Sequence, residues 1–290
     1  HSPAAGTLAA RSAYLGGCAG TRNTEAGMRF GVPVSGTAAH SWTMAFGDEK
    51  RAFQALQALL GDSTVFLIDT YDTIRGAQVA AEVGRPAWGV RLDSGDIEVL
   101  SRRVREILDN SGLRDAKIMA TNDLDEFRIA EVVGAGAPLD AFGVGTQLAT
   151  SADAPALSAV YKLVELRIGD EHYYTAKFSE AKSTLPAPKQ IYRERHCDLV
   201  ALHDECSSDF KGEPLLRPVV SRGELVETLP RLSKSRNYAQ SAISALPEPL
   251  LSIEKSAPYD VTVSRRLLQL AESIRNDQRF GHLVGVGRDN

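Results

Sequence analysis

Between residues 30 and 150 the chain repeats one unit: a short apolar or β-branched run, a polar cluster rich in Gly, Asp, Ser or Thr, then a stretch with helical spacing. The apolar runs lie at 31–34, 65–68, 88–90, 117–120 and 141–144. The clusters behind them hold His40 and Ser41; Asp69, Thr70 and Asp72; Arg91, Asp93, Ser94, Gly95 and Asp96; Thr121, Asn122 and Asp123; and Gly145 with Thr146. Short strands without polar alternation, separated by helices, predict a parallel sheet. Phe53, Leu56 and Leu60 recur at helical spacing behind the acidic start Asp48-Glu49. Leu100, Val104, Ile107 and Leu108 form a second stripe that Ser111-Gly112 ends. Successive βα units of this kind build either a barrel or a doubly wound sheet. Both architectures place ligands at the C-terminal ends of the strands, where these polar clusters lie.

Past Leu148 the pattern changes. Residues 160–166 alternate, Gly169-Asp170 sits at a turn position before Tyr173-Tyr174-Thr175, and 190–192, 199–202 and 217–220 read as further strands. Residues 263–274 predict a closing helix with Leu267, Leu270, Ala271 and Ile274 on one face, and 281–290 lack periodicity. The expected organisation is a βα region over 1–159, a β-rich element over 160–225 and a C-terminal segment with helix and tail over 226–290.

Composition removes some function classes. The net charge is only -4 and no basic run is dense, so nucleic acid is not an expected partner. The longest apolar runs fall far short of a membrane span, and the opening residues do not form a signal peptide. Three cysteines (Cys18, Cys197 and Cys206) leave at least one unpaired, so the expectation is a reducing cytoplasm rather than a disulfide framework. The chain opens on His1 and reads as the middle of something, so a fragment or a processed chain is expected.

The cluster from Arg91 to Asp96 carries the most chemistry. Arginine grips phosphate or carboxylate bidentately, Asp93 can hold a ribose hydroxyl or a magnesium ion, and Ser94 and Gly95 let backbone amides approach an anion. The plainer reading is a helix N-cap; the arginine ahead of it favours function. Gly143, Gly145 and Thr146 offer exposed amides and a hydroxyl to a phosphate, although paired glycines at a strand end also serve close packing. Capping explains Asn122 and its neighbours adequately. His40 is the only histidine of the first half apart from His1, and Asp69 ends the next predicted strand. A carboxylate on one ring nitrogen would raise the basicity of the other, as a nucleophile or base requires. Two other patterns fall short. Residues 65–73 resemble an acidic fingerprint found in one class of phosphoribosyltransferases but lack its adjacent acids and glycine-rich loop. His196, Cys197, His203 and Cys206 match no standard zinc spacing.

Taken in order, the stretches 30–42, 67–73, 89–96, 122–126, 142–148, 160–165 and 189–193 resemble the nicotinate phosphoribosyltransferase family over roughly residues 1–265. The resemblance implies an irregular, TIM-like α/β barrel joined to part of a second, β-rich α/β domain. It implies transfer of the ribosyl group of phosphoribosyl pyrophosphate to nicotinate, with ATP as co-substrate, magnesium as cofactor, and a homodimer sharing its site. By resemblance, ATP phosphorylates His40, with Asp69 as its carboxylate partner and Ser41 beside it. Arg91 would lie between nicotinate and the ribosyl substrate, with Asp93 on the ribose or metal and Ser94, Gly95 and Asn122 nearby. Gly143, Gly145 and Thr146 would hold the 5'-phosphate. Asn23 would stand where the nicotinamide-using sibling has an aspartate, which favours an anionic substrate. Two departures stand out. The family's ring-stacking aromatic residues come from a region before His1, and Pro186-Ala187-Pro188 stands where the family has a glycine after the first proline. Rival readings are the nicotinamide-using sibling and a phosphate-binding scaffold without turnover; an aldolase-like barrel would need a strand-end lysine, which these runs lack.

Overall fold

The structure is a computed structural model describing residues 2–157, 159–178, 183–194, 197–205, 210–254, 257–276 and 284–285. It divides into two compact units, one of His1–Ala156 with Arg231–Ser241 and the other of Leu157–Pro230 with Ala242–Asn290.

The first unit opens with four helices: α1 (Pro3–Gly16), α2 (Thr24–Phe30), α3 (His40–Phe46) and α4 (Glu49–Leu60). Strands and helices then alternate: β1 (Val65–Leu67), α5 (Thr73–Val83), β2 (Gly89–Leu92), α6 (Ile97–Asn110), β3 (Lys117–Ala120), α7 (Glu126–Gly134), β4 (Ala141–Phe142) and α8 (Thr146–Thr150). All four strands are parallel and lie in the order β1-β2-β3-β4. The order is sequential, with no reversal among these four strands. With four strands the described sheet is an arc, not a closed barrel. Phe66, Ile68, Val90, Leu92 and Ile118 pack with Ala77 and Ala80 of α5 and with Val104 and Leu108 of α6 to form the main core. The run at 31–34 is not a strand. Only Val34 makes an isolated bridge, to Thr21, while Gly31 takes a left-handed conformation that ends α2. Pro33 has no N–H to donate, and its carbonyl accepts from Thr21 N at 2.9 Å.

The second unit holds β5 (Glu165–Ile168), β6 (Glu171–Tyr174), β7 (Lys189–Arg193), β8 (Cys197–Leu202), β9 (Glu213–Pro214), β10 (Val220–Ser221) and β11 (Glu224–Leu225). Then come α9 (Leu232–Ser244), whose first turns group with the first unit, β12 (Asp260–Val263), α10 (Arg265–Asn276) and β13 (Val284–Gly285). One sheet runs β12-β8-β7-β9, another β13-β6-β5, and β10 pairs with β11. The expected turn at Gly169-Asp170 joins β5 to β6, and the expected closing helix is α10, which buries Leu267 and Ile274. Residues 160–164 stay outside a strand, with Val160, Tyr161 and Leu163 exposed. Ala187 has φ +62° and is buried, its amide donating to Val164 O at 3.0 Å. That backbone favours glycine, so a glycine here would relieve a cost of about 1–2 kcal/mol.

Candidate functional site

Strand register builds the site. Leu67 pairs with Arg91, Leu92 with Ala120, and Ala120 with Phe142. Continuing each strand past its last pair puts Asp69, Asp93, Thr121 and Gly143 in one row across the C-terminal edge of the sheet. Close approach in this row requires the small residue at Gly143, where a Cβ would come within 2.5 Å of Thr121 Cγ2.

Arg91, buried on β2, organises the row. Its Nη2 lies 2.8 Å from Asp93 Oδ1, its Nε donates to Thr121 Oγ1 at 2.9 Å, and its Nη1 donates to Thr37 Oγ1 at 2.6 Å and Ala38 O at 3.3 Å. Thr121 also hydrogen-bonds Asp93. Burial pushes the Asp93 carboxyl up, but hydrogen bonds from Arg91 and Thr121, the Arg91 charge and His40 together hold it below the usual carboxylate range. Asp93 is therefore an anion near neutral pH.

His40 begins α3. Its Nε2 is 3.4 Å from Asp93 Oδ2 and its Nδ1 is 3.2 Å from Thr70 Oγ1. An ionised carboxylate only accepts, so the contact with Asp93 calls for a proton on Nε2, while Nδ1 faces the Thr70 hydroxyl. The carboxylate facing His40 is thus Asp93, not the expected Asp69. Asp69 Oδ2 accepts from Asp93 N at 2.8 Å and from Ser94 Oγ at 2.6 Å, so it braces the loop that carries Asp93. Its Oδ1 is buried without a hydrogen-bond partner among the described residues.

The remaining candidates divide. Ser41 is exposed on α3 and borders a shallow groove with Thr37, Trp42 and Leu56. Gly95 adopts φ +79° in the loop before α6. Asn122 has φ +90° directly after Thr121. Gly145 is the N-cap of α8, which Thr146 begins. No described side-chain hydrogen bond ties Asn122 or Thr146 into the network around Arg91; the Thr146 carbonyl accepts from Thr150 Oγ1 within α8. Asn23 caps α2, its Oδ1 accepting from Ala26 N at 2.8 Å, so its carboxamide oxygen already has a structural task. Of the possible zinc ligands, His196 and Cys206 lie outside the described residues, and no group of three metal-binding side chains occurs among those described. Thr37 and Arg22, which no sequence pattern singles out, join the network through hydrogen bonds, as does Thr121 of the expected polar cluster. A separate cavity of about 270 Å³ lies at the opposite, N-terminal ends of the strands, lined by Phe66, Ala80, Arg85, Val90 and Leu108. It contains none of these groups.

A parallel βα arc that gathers a buried arginine, two carboxylates and a histidine at its strand ends defines an α/β protein with a polar, anion-receptive strand-end site. The chain belongs to the nicotinate phosphoribosyltransferase family, whose model matches residues 3–203, and the model of the family's C-terminal domain matches residues 182–271. It is 40% identical over 296 residues to nicotinate phosphoribosyltransferase pncB2 of Mycobacterium tuberculosis, covering 97% of this chain and 62% of the relative. It is 38% identical to the Bacillus subtilis nicotinate phosphoribosyltransferase, covering 91% of this chain and 61% of that one. The chain thus spans less than two thirds of the length of these relatives. A crystal structure described as nicotinate-nucleotide pyrophosphorylase from Pyrococcus furiosus superposes with TM-score 0.68 at 26% identity, covering 84% of this chain and 63% of that one. The human nicotinic acid phosphoribosyltransferase structure shares the fold, with TM-score 0.70 at 24% identity over 92% of this chain and 66% of that one.

Proposed function

We propose that the chain carries the transfer site of a nicotinate phosphoribosyltransferase. It joins nicotinate to the ribosyl group of phosphoribosyl pyrophosphate, releasing pyrophosphate, with ATP hydrolysis coupled through His40. The observation that carries this reading is the hydrogen-bonded row of Arg91, Asp93, Thr121 and His40 at the strand ends, in a chain of this family.

As pyrophosphate leaves, the ribose C1' gains positive charge, and an ionised carboxylate beside it stabilises that charge. Asp93 is suited to this because Arg91 keeps it ionised and Asp69 fixes its backbone. Arg91 presents a cation to substrate oxygens. In the neutral ring with its proton on Nε2, the Nδ1 of His40 is the nitrogen able to attack the γ-phosphoryl of ATP, with ADP leaving. Magnesium, which would neutralise phosphate oxygens, needs only one or two carboxylates and completes its shell with water and phosphate. The unpartnered Oδ1 of Asp69 and the Asp93 carboxylate fit that requirement. A homodimer with a shared site and a cytoplasmic setting belong to the same reading.

The test is product analysis. Nicotinate, phosphoribosyl pyrophosphate and magnesium, with and without ATP, are incubated with the protein and nicotinate mononucleotide is quantified by chromatography. Product that forms faster with ATP supports the reading; no product under either condition overturns it.

A further inference from the structure

One hydroxyl holds two guanidinium groups together at the edge of the site. Thr37 Oγ1 accepts from Arg91 Nη1 at 2.6 Å and also from Arg22, which occupies both of its lone pairs. Arg91 has Asp93 as its counter-ion, whereas Arg22 makes no ion pair among the described residues. Burial lowers the pKa of Arg22, the Arg91 charge lowers it further, and Asp93 opposes both. Asp69, the other carboxylate of the row, accepts from Asp93 N and Ser94 Oγ. Two cations therefore share one carboxylate, an arrangement that a bound anion would relieve.

We propose that Arg22 and Arg91, bridged by Thr37, form a two-guanidinium subsite for the anionic oxygens of a substrate, with Arg22 setting the preference for a charged ligand over a neutral one. The substrates named rest on the transferase reading; the charge balance does not. Two planar forks converging on one point suit the paired oxygens of a carboxylate or a phosphate better than a point charge would. The carboxylate of nicotinate and the phosphates of phosphoribosyl pyrophosphate share this chemistry.

Calorimetric titration of nicotinate, nicotinamide and inorganic pyrophosphate into the wild-type protein, Arg22→Gln and Arg22→Lys separates them. Arg22→Gln should weaken nicotinate by about tenfold or more and leave nicotinamide within about twofold. Arg22→Lys should fall between, keeping the charge but losing the fork. If pyrophosphate weakens instead of nicotinate, the subsite holds phosphate, and the two-guanidinium assignment stands. Unchanged affinity for both anions in Arg22→Gln, or a wild type that binds neither, overturns it. If the anions bind as described but no nicotinate mononucleotide is ever made, the subsite survives and the transferase reading fails.

Discussion

Asp93 is the residue on which the charges of the site converge, since Arg91, Thr121 and His40 all reach its carboxylate. Its pKa is depressed in the folded chain, so its contribution to stability is complete above the unfolded carboxylate value of about 3.9 and is lost as pH falls through the lower folded value. Asp93→Asn should therefore lose stability less steeply than wild type below about pH 4, as followed by acid denaturation. At neutral pH the same change should cost about 1–3 kcal/mol, because buried Arg91 keeps Thr121, Thr37 and Ala38 but loses its anion. Parallel acid limbs in the two proteins would mean that Asp93 is not the linked group. At this scale the sequence pointed to Arg91, Asp93 and His40 by residue type and position. The partner of His40 was not legible there. Asp69 and Asp93 end neighbouring strands at the same level, and only the hydrogen bonds of the loop decide which carboxylate turns to the imidazole.

At the scale of elements, β1 to β4 were readable within the apolar runs at 65–68, 88–90, 117–120 and 141–144, because such runs suit a parallel sheet, although β4 takes only Ala141–Phe142 of its run. The run at 31–34 misled because its apolar residues surround a proline that cannot join a ladder. Register then supplies what the pattern could not, the alignment of strand ends into one row. That alignment depends on α5 lying close on β1. A Cβ at Gly76 would sit 2.0 Å from Ile68 O, whereas Gly134 at the end of α7 has open space around it. Gly76→Ala should destabilise the protein by about 1–3 kcal/mol. Gly134→Ala should be neutral or stabilise by up to about 1 kcal/mol. Urea unfolding of both variants measures the difference, and equal losses would refute the close approach of α5.

For the molecule as a whole, the change of character past Leu148 marked the passage from parallel βα units to mostly antiparallel sheets, in which only β12 and β8 pair in parallel, and the compact units divide after Ala156. Less legible was the return of Arg231–Ser241 to the first unit, where Arg236 donates to Gly17 O and Cys18 O at 2.8 Å and so caps the end of α1. A contact between residues so far apart in sequence leaves no periodic trace. Family membership extends across both units, with models matching 3–203 and 182–271, while the chain covers 62% of its Mycobacterium tuberculosis relative. The central claim, an ATP-coupled transfer site at the strand ends of the first unit, stands or falls with His40. The most direct measurement exposes wild type and His40→Ala to ATP labelled at the γ-phosphate, then maps the labelled peptide under conditions that preserve phosphohistidine. The account predicts an acid-labile label in the peptide containing His40 and none in His40→Ala; label that persists in His40→Ala, or that maps to His172 or His203, would contradict it.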